Sequence, residues 1–134
     1  MIGIINYGLG NVDSFINSFK FLGISAISVG NKDELKRINR LILPGVGSFD
    51  SAIKKFNESG LRDDIEDLIF NNNLPIMGVC IGMQIMAKRS SEGILSGLGW
   101  IDGEVKIIDQ KKKLILPHMG WNEIKIKDEN SKLL

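Results

Sequence analysis

The sequence predicts an α/β fold: an open, mostly parallel sheet with helices on both faces, then antiparallel hairpin material after residue 97. Three observations predict it. Short apolar runs alternate with amphipathic segments three times over, and glycine-containing turns follow three of those runs. The third is size: 134 residues, 43% hydrophobic and 25% charged, suit one packed core and one domain over residues 1–134.

Ile2 to Ile5 is an apolar run closed by Asn6-Tyr7-Gly8-Leu9-Gly10-Asn11, and Val12, Phe15, Ile16, Phe19 and Leu22 then recur at helical spacing up to Gly23. That is a strand, a glycine turn and a helix. Ser25 to Val29 predicts a second strand, Lys32 to Asn39 a short charged helix, and Arg40 to Leu43 a third strand stopped by Pro44. After the tight Gly45-Val46-Gly47 turn, Ser48 caps a helix that carries Phe49, Ala52, Ile53 and Phe56 inward as far as Gly60. Leu61 to Phe70 forms a further helix with Leu61, Ile65, Leu68 and Ile69 on one face, ended by Asn71-Asn72-Asn73. Pro75 to Val79 is a buried strand and Ile81 to Lys88 a helix. Glu104 to Ile108, Leu114 to Leu116 and Trp121 to Ile126 alternate as hairpin strands do, with Lys111-Lys112-Lys113 as a solvated turn. In a parallel sheet the working site lies beyond the carboxyl ends of the strands, where the turns at 6–11, 44–47 and 78–82 all fall.

The composition excludes several classes of function. Seventeen basic against sixteen acidic residues leave a formal charge of +1, too weak a field to gather nucleic acid or anionic lipid. The most apolar stretch, Leu74 to Ala87, is too short to span a bilayer and holds Gln84. Met1 leads directly into Ile2 without a basic segment, so a cytoplasmic protein is expected. One cysteine, Cys80, and one histidine, His118, supply neither a disulfide nor a zinc set; no metal and no cofactor is expected.

Gly78-Val79-Cys80-Ile81-Gly82 has the small-x-nucleophile-x-small form of a nucleophile elbow, where a strand breaks into a helix and lifts one side chain above the sheet. The flanking glycines are expected because the sharp turn brings positions 78 and 82 together, where a Cβ would collide. A thiol at a helix start faces unpaired N–H groups and the positive end of the helix dipole, which favour an anionic, nucleophilic sulfur. The N–H of Ile81 would face a developing oxyanion and the Gly45 to Gly47 turn would offer a second donor, which makes an acyl-transfer site. An isolated cysteine is ordinarily a small buried hydrophobe; the elbow around Cys80 reverses that reading. Gln84, one turn further on, reads equally as a solvated residue or as a polar contact for substrate. Gly8-x-Gly10 after a strand raises dinucleotide binding, yet Asp13 stands where the third glycine belongs, which favours a plain turn. Pro117-His118-Met119-Gly120-Trp121-Asn122 mixes residues common at protein interfaces, though a hairpin packing its own Trp121 would use them too.

Gly78-Val79-Cys80-Ile81-Gly82-Met83-Gln84 resembles the triad-type, class-I glutamine amidotransferases, whose sheet is flavodoxin-like. With Asn6 to Asn11, Leu43-Pro44-Gly45-Val46-Gly47-Ser48-Phe49 and Pro117 to Asn122 in order, the chain is similar to the branch comprising the glutaminase subunits of imidazole glycerol phosphate synthases. That resemblance implies a glutaminase passing ammonia to a (β/α)8-barrel cyclase subunit in histidine biosynthesis. It makes Cys80 the nucleophile of a glutamyl thioester, and places Val46, Gly47 and Ile81 at the oxyanion, in a turn whose peptide orientation responds to the partner. Gly45, Gly82 and Gln84 would contact glutamine; Asn6, Gly8, Asn11, Pro117, His118, Met119 and Trp121 would face the cyclase. The family's catalytic histidine and glutamate lie in a carboxyl-terminal segment past the position of Leu134, so a truncated domain with an incomplete triad and impaired turnover is expected. His118 belongs by the resemblance to the interface loop, not to the base role. Three alternatives stand beside this: a paralogous glutaminase feeding sugar amination for surface polysaccharide, a catalytically silent regulatory module, and a small nucleotide-binding domain.

Overall fold

Strand β1 (Ile2–Ile5) is hydrogen-bonded on both sides, to β2 (Ala26–Val29) and to β3 (Arg40–Leu43), and a strand so enclosed must be apolar on both faces. The computed structural model describes residues 1–109, 115–117 and 119–127. Strand β4 (Ile76–Gly78) completes a four-stranded, all-parallel sheet in the order β2-β1-β3-β4. Helices α1 (Val12–Phe21), α2 (Lys32–Leu35), α3 (Phe49–Glu58) and α4 (Arg62–Phe70) connect these strands. On one face Ile4 and Ile42 meet Val12, Phe15, Ile16 and Phe19 of α1. On the other, Ile5, Leu41 and Leu43 meet Phe49, Ala52, Ile53 and Phe56 of α3 and Ile65 of α4. The predicted α/β architecture with helices on both faces is what the chain adopts.

The strand order carries a switch point. Crossover β1-α1-β2 steps one way and β2-α2-β3 returns past β1, so the turns leaving β1 and β3 lead to helices on opposite faces of the sheet. β4 places its own exit beside the turn leaving β3, since Val79 N donates to Leu43 O at 3.0 Å.

Four expectations need correction. The charged helix stops at Leu35 rather than Asn39, because Asn39 extends the pairing of β3 with β1 at the amino ends of those strands: its N–H donates to Met1 O at 3.0 Å, and its Oδ1 accepts from the amino terminus at 2.9 Å. β4 is not a buried strand; it is the edge of the described sheet, half-buried at Ile76 and Gly78 and exposed at Met77. The helix expected from Ile81 to Lys88 ends at Ile85 (α5, Ile81–Ile85), and Ala87–Ser90 becomes strand β5. Carbonyls of Ile85, Met86 and Lys88 instead accept from Leu98, Ile101 and Gly97 at 2.8, 2.9 and 2.8 Å, which leaves no helical ladder to continue. Finally, the tail is not antiparallel where it pairs: β6 (Ile101–Val105) runs parallel to β5, with Ala87 opposite Ile101 and Ser90 opposite Val105. Alternating hydrophobicity reports that one strand face is wet and carries no information on direction. Residues 121–126 form no strand, and Lys111 to Leu114 lie outside the described residues.

Phe56 sits at the centre of the larger core, fully buried and edge-on to Tyr7 at 5.6 Å and to Trp100 at 5.8 Å between ring centroids. Replacing Phe56 by Ala should cost about 3–5 kcal/mol through lost transfer energy and the cavity left behind, read as a lower urea midpoint at unchanged slope. A loss below about 0.5 kcal/mol, typical of surface positions, would contradict this placement.

Candidate active site

The chain leaves β4 at Gly78 and turns into α5 within two residues, a change of direction concentrated at Cys80, whose φ of 56° and ψ of −124° few side-chain-bearing residues adopt. Among the described residues the other non-glycine with left-handed φ is Asn73, a type that tolerates it. The turn is closed by Gly82 N donating to Val79 O at 3.0 Å, and by Met83 N and Gln84 N donating to Cys80 O at 3.0 and 3.2 Å. The thiol is free and exposed. Ile81, the first residue of α5, contributes an amide that has no intrahelical acceptor.

The glycines are where the elbow needs them, and the nearest atoms a side chain would meet are backbone and sulfur. A Cβ on Gly78 would strike the Met83 backbone and come within 2.6 Å of Met86 Sδ, while one on Gly82 would strike the carbonyl of Leu43 at the end of β3. Gly45 is the third such position: its Cβ would lie 2.5 Å from Gly82 N, 3.1 Å from the carbonyl carbon of Ile81 and 2.9 Å from Tyr7 Oη. Two backbones therefore touch here, the turn leaving β3 and the first turn of α5. Gly45 is buried in that contact, whereas Val46 and Gly47, the latter at φ 95°, are exposed beyond it.

Tyr7 was not singled out by sequence pattern. Its ring is buried in the core and its hydroxyl donates to Pro44 O at 2.7 Å, joining the first turn to the third across 37 residues. Burial, with a smaller contribution from the charge of Cys80, pushes the phenol up to about 12. In the same first turn, Asn6 Oδ1 accepts from Gly8 N at 3.4 Å, and Asn11 caps α1 by accepting from Ser14 N at 3.0 Å. Asn6, Gly8 and Asn11 are at the surface.

One helical turn past Cys80 a cleft of about 530 Å³ opens, lined by Gln84, Glu92, Lys106, Ile107, Leu116 and Pro117 among others. Gln84 Oε1 is buried there with no hydrogen-bond partner among the described residues. The cleft holds one acidic and one basic side chain, Glu92 and Lys106, a pairing that suits a zwitterion. Glu92 was missed in the sequence, where it falls in an unremarkable loop. Leu116 and Pro117 bring the tail against Gln84; Met119 and Trp121 beyond them are almost fully exposed, so Trp121 does not pack its own hairpin, and His118 lies outside the described residues. Among the described residues no three His, Cys, Asp or Glu side chains gather as metal ligands, and no helix is long and apolar enough to cross a membrane.

Residues 3–134 match the sequence profile of the family described as glutamine amidotransferase class-I. The chain is 47% identical over 137 residues to the imidazole glycerol phosphate synthase subunit HisH of Leptospira interrogans, and 48% identical over 136 residues to that of Leptospira borgpetersenii. These matches take in 100% and 99% of this chain and 67% of each relative. The subunit HisH of Bdellovibrio bacteriovorus is 44% identical over 93% of this chain and 63% of its own length. The chain thus spans about two thirds of these relatives. A crystal structure of a glutamine amidotransferase superposes with a TM-score of 0.64 at 26% identity, covering 78% of this chain and 55% of that one.

Tyr7 is the chain's one tyrosine, so its titration can be read directly from phenolate absorbance. The folded protein should titrate near 12 and the unfolded chain near the ordinary 10. The neutral phenol's contribution to stability is therefore intact below pH 10 and is lost as pH rises through the folded value of about 12. Cys80→Ala should lower the folded midpoint slightly and leave it above 10, because burial is the larger cause. A folded midpoint at 10 would place the ring in solvent and contradict the clamp on Pro44.

Proposed function

The chain belongs to the class-I glutamine amidotransferase family, and from that premise we propose that it forms the glutamine-hydrolysing side of an imidazole glycerol phosphate synthase, with a (β/α)8-barrel cyclase as partner. The observation carrying this reading is the exposed Cys80 at left-handed φ, its helix backbone in contact with Gly45. Sγ attacks the carboxamide carbon of glutamine, the C–N bond breaks, ammonia leaves, and water releases glutamate from the thioester. Negative charge gathers on the carbonyl oxygen during attack. The Ile81 N–H and an N–H of the Val46–Gly47 turn are assigned to it, each donor of this kind being worth about 2.7–4 kcal/mol in the transition state. By the resemblance, the proton taken up by the leaving nitrogen belongs to the histidine of the family's carboxyl-terminal segment.

The cleft supports the substrate assignment. Glutamine carries an ammonium, a carboxylate and a carboxamide; Glu92 and Lys106 offer the opposite charges, and Gln84 lines the same cleft. The surface asparagines Asn6 and Asn11 and the exposed Pro117, Met119 and Trp121 are assigned to the cyclase contact, where large exposed apolar side chains have a use.

A diazoketone analogue of glutamine tests the reading by mass spectrometry. It should add one adduct to the protein, saturably and at Cys80, with free glutamine protecting; Cys80→Ala should slow adduct formation by roughly a hundredfold or more. An adduct that persists in Cys80→Ala, or that glutamine does not suppress, would contradict it.

A further inference from the structure

We propose that Asp50 is a positioning residue: from the first turn of α3 it holds the loop that carries Glu92 into the cleft, and so sets where the ammonium end of the substrate binds. This rests on the glutamine reading above and adds a residue that contacts no substrate.

An acidic side chain in the first turn of a helix ordinarily serves its own helix, facing the unpaired amides and the positive end of the dipole. Asp50 instead reaches 44 and 45 residues along the chain. Its Oδ1 accepts from Ile94 N and Leu95 N at 3.1 Å each, and Oδ2 lies at the same distance from Ile94 N. Two successive amides pointing at one carboxylate form a small anion-binding concavity, and the charge on the acceptor strengthens both bonds.

The neighbouring position is shaped for this contact. A Cβ on Gly93 would strike Asp50 Oδ1 and come within 3.0 Å of Phe49 Cδ1, while the glycine's φ is not left-handed, so it is present for space and not for conformation. On the other side of Glu92, the buried Ser90 accepts the Glu92 N–H on its hydroxyl at 3.2 Å, and Ser90 O accepts from Gly93 N at 3.3 Å. Glu92 is thus the exposed tip of a loop pinned at both shoulders, and it lines the cleft.

Asp50 also sits two residues beyond Ser48, the cap through which α3 joins the Gly45–Gly47 turn. One short segment therefore carries both the turn assigned to the oxyanion and the clamp on Glu92. α3 thereby sets the spacing between the two subsites assigned to the ends of a bound glutamine.

Saturable labelling of Cys80 by the diazoketone analogue separates binding (KI) from the chemical step (kinact). Asp50→Ala should raise KI roughly tenfold while kinact and the rate of labelling by iodoacetamide, which needs no amino-acid site, stay within about twofold. Asp50→Asn, which keeps an acceptor oxygen, should recover much of the lost affinity and serves as the second variant should Asp50→Ala fold poorly. An unchanged KI in both variants overturns the proposal, as does a parallel fall in kinact and iodoacetamide labelling, the mark of a general loosening. If the unsubstituted protein labels without saturation, the glutamine reading itself fails, an outcome distinct from either.

Discussion

Two stretches of backbone lie against each other where the turn leaving β3 meets the first turn of α5, and the remainder of the site is arranged around that contact. Gly45 and Gly82 are the residues whose missing side chains permit it. Backbone approaching backbone this closely cannot be replaced by side-chain packing, because what it brings together are main-chain amides at fixed separation. The cost is visible at Cys80, held in a sparsely populated conformation worth of order 1–3 kcal/mol. Such strain persists only where neighbours over-determine it. Here they do: Val79 is hydrogen-bonded to Leu43, and Tyr7 grips the carbonyl of Pro44 from within the core.

The core and the site are therefore one construction. Phe56 and Tyr7 pack edge to face beneath the turn that Tyr7 holds, so α3 serves both as the hydrophobic cover of the sheet and as the platform for Gly45 to Gly47. Asp50 extends the same platform sideways to the loop bearing Glu92. A site assembled this way takes its geometry from one helix and one sheet edge, which are rigid, and leaves its exposed apolar residues, Val46, Met83, Met119 and Trp121, outside that frame.

Much of this was legible in the amino-acid order. The inner strands β1 and β3 declare themselves as short apolar runs because both faces are covered, and the intervening helices by amphipathic spacing and capping residues such as Asn11 and Ser48. The elbow was legible from Gly78 and Gly82, though not that the nearest collisions they avoid are with the backbones of Met83 and Leu43. What could not be read depends on partners far along the chain. The end of α5 is set by amides of Gly97, Leu98 and Ile101; the value of Tyr7 by a carbonyl 37 residues away; that of Asp50 by amides 44 and 45 residues away. The parallel sense of β5 and β6 was hidden for a similar reason, since alternation is identical in either direction.

The account is tested most directly by a crystal structure of the Cys80 adduct formed with a glutamine-derived electrophile. The account predicts the adduct's carbonyl oxygen within hydrogen-bond reach of the Ile81 N–H and facing the turn at 45–47, with its amino group at Glu92. An adduct whose oxygen points to solvent, or whose chain lies away from Gln84 and Glu92, would contradict it.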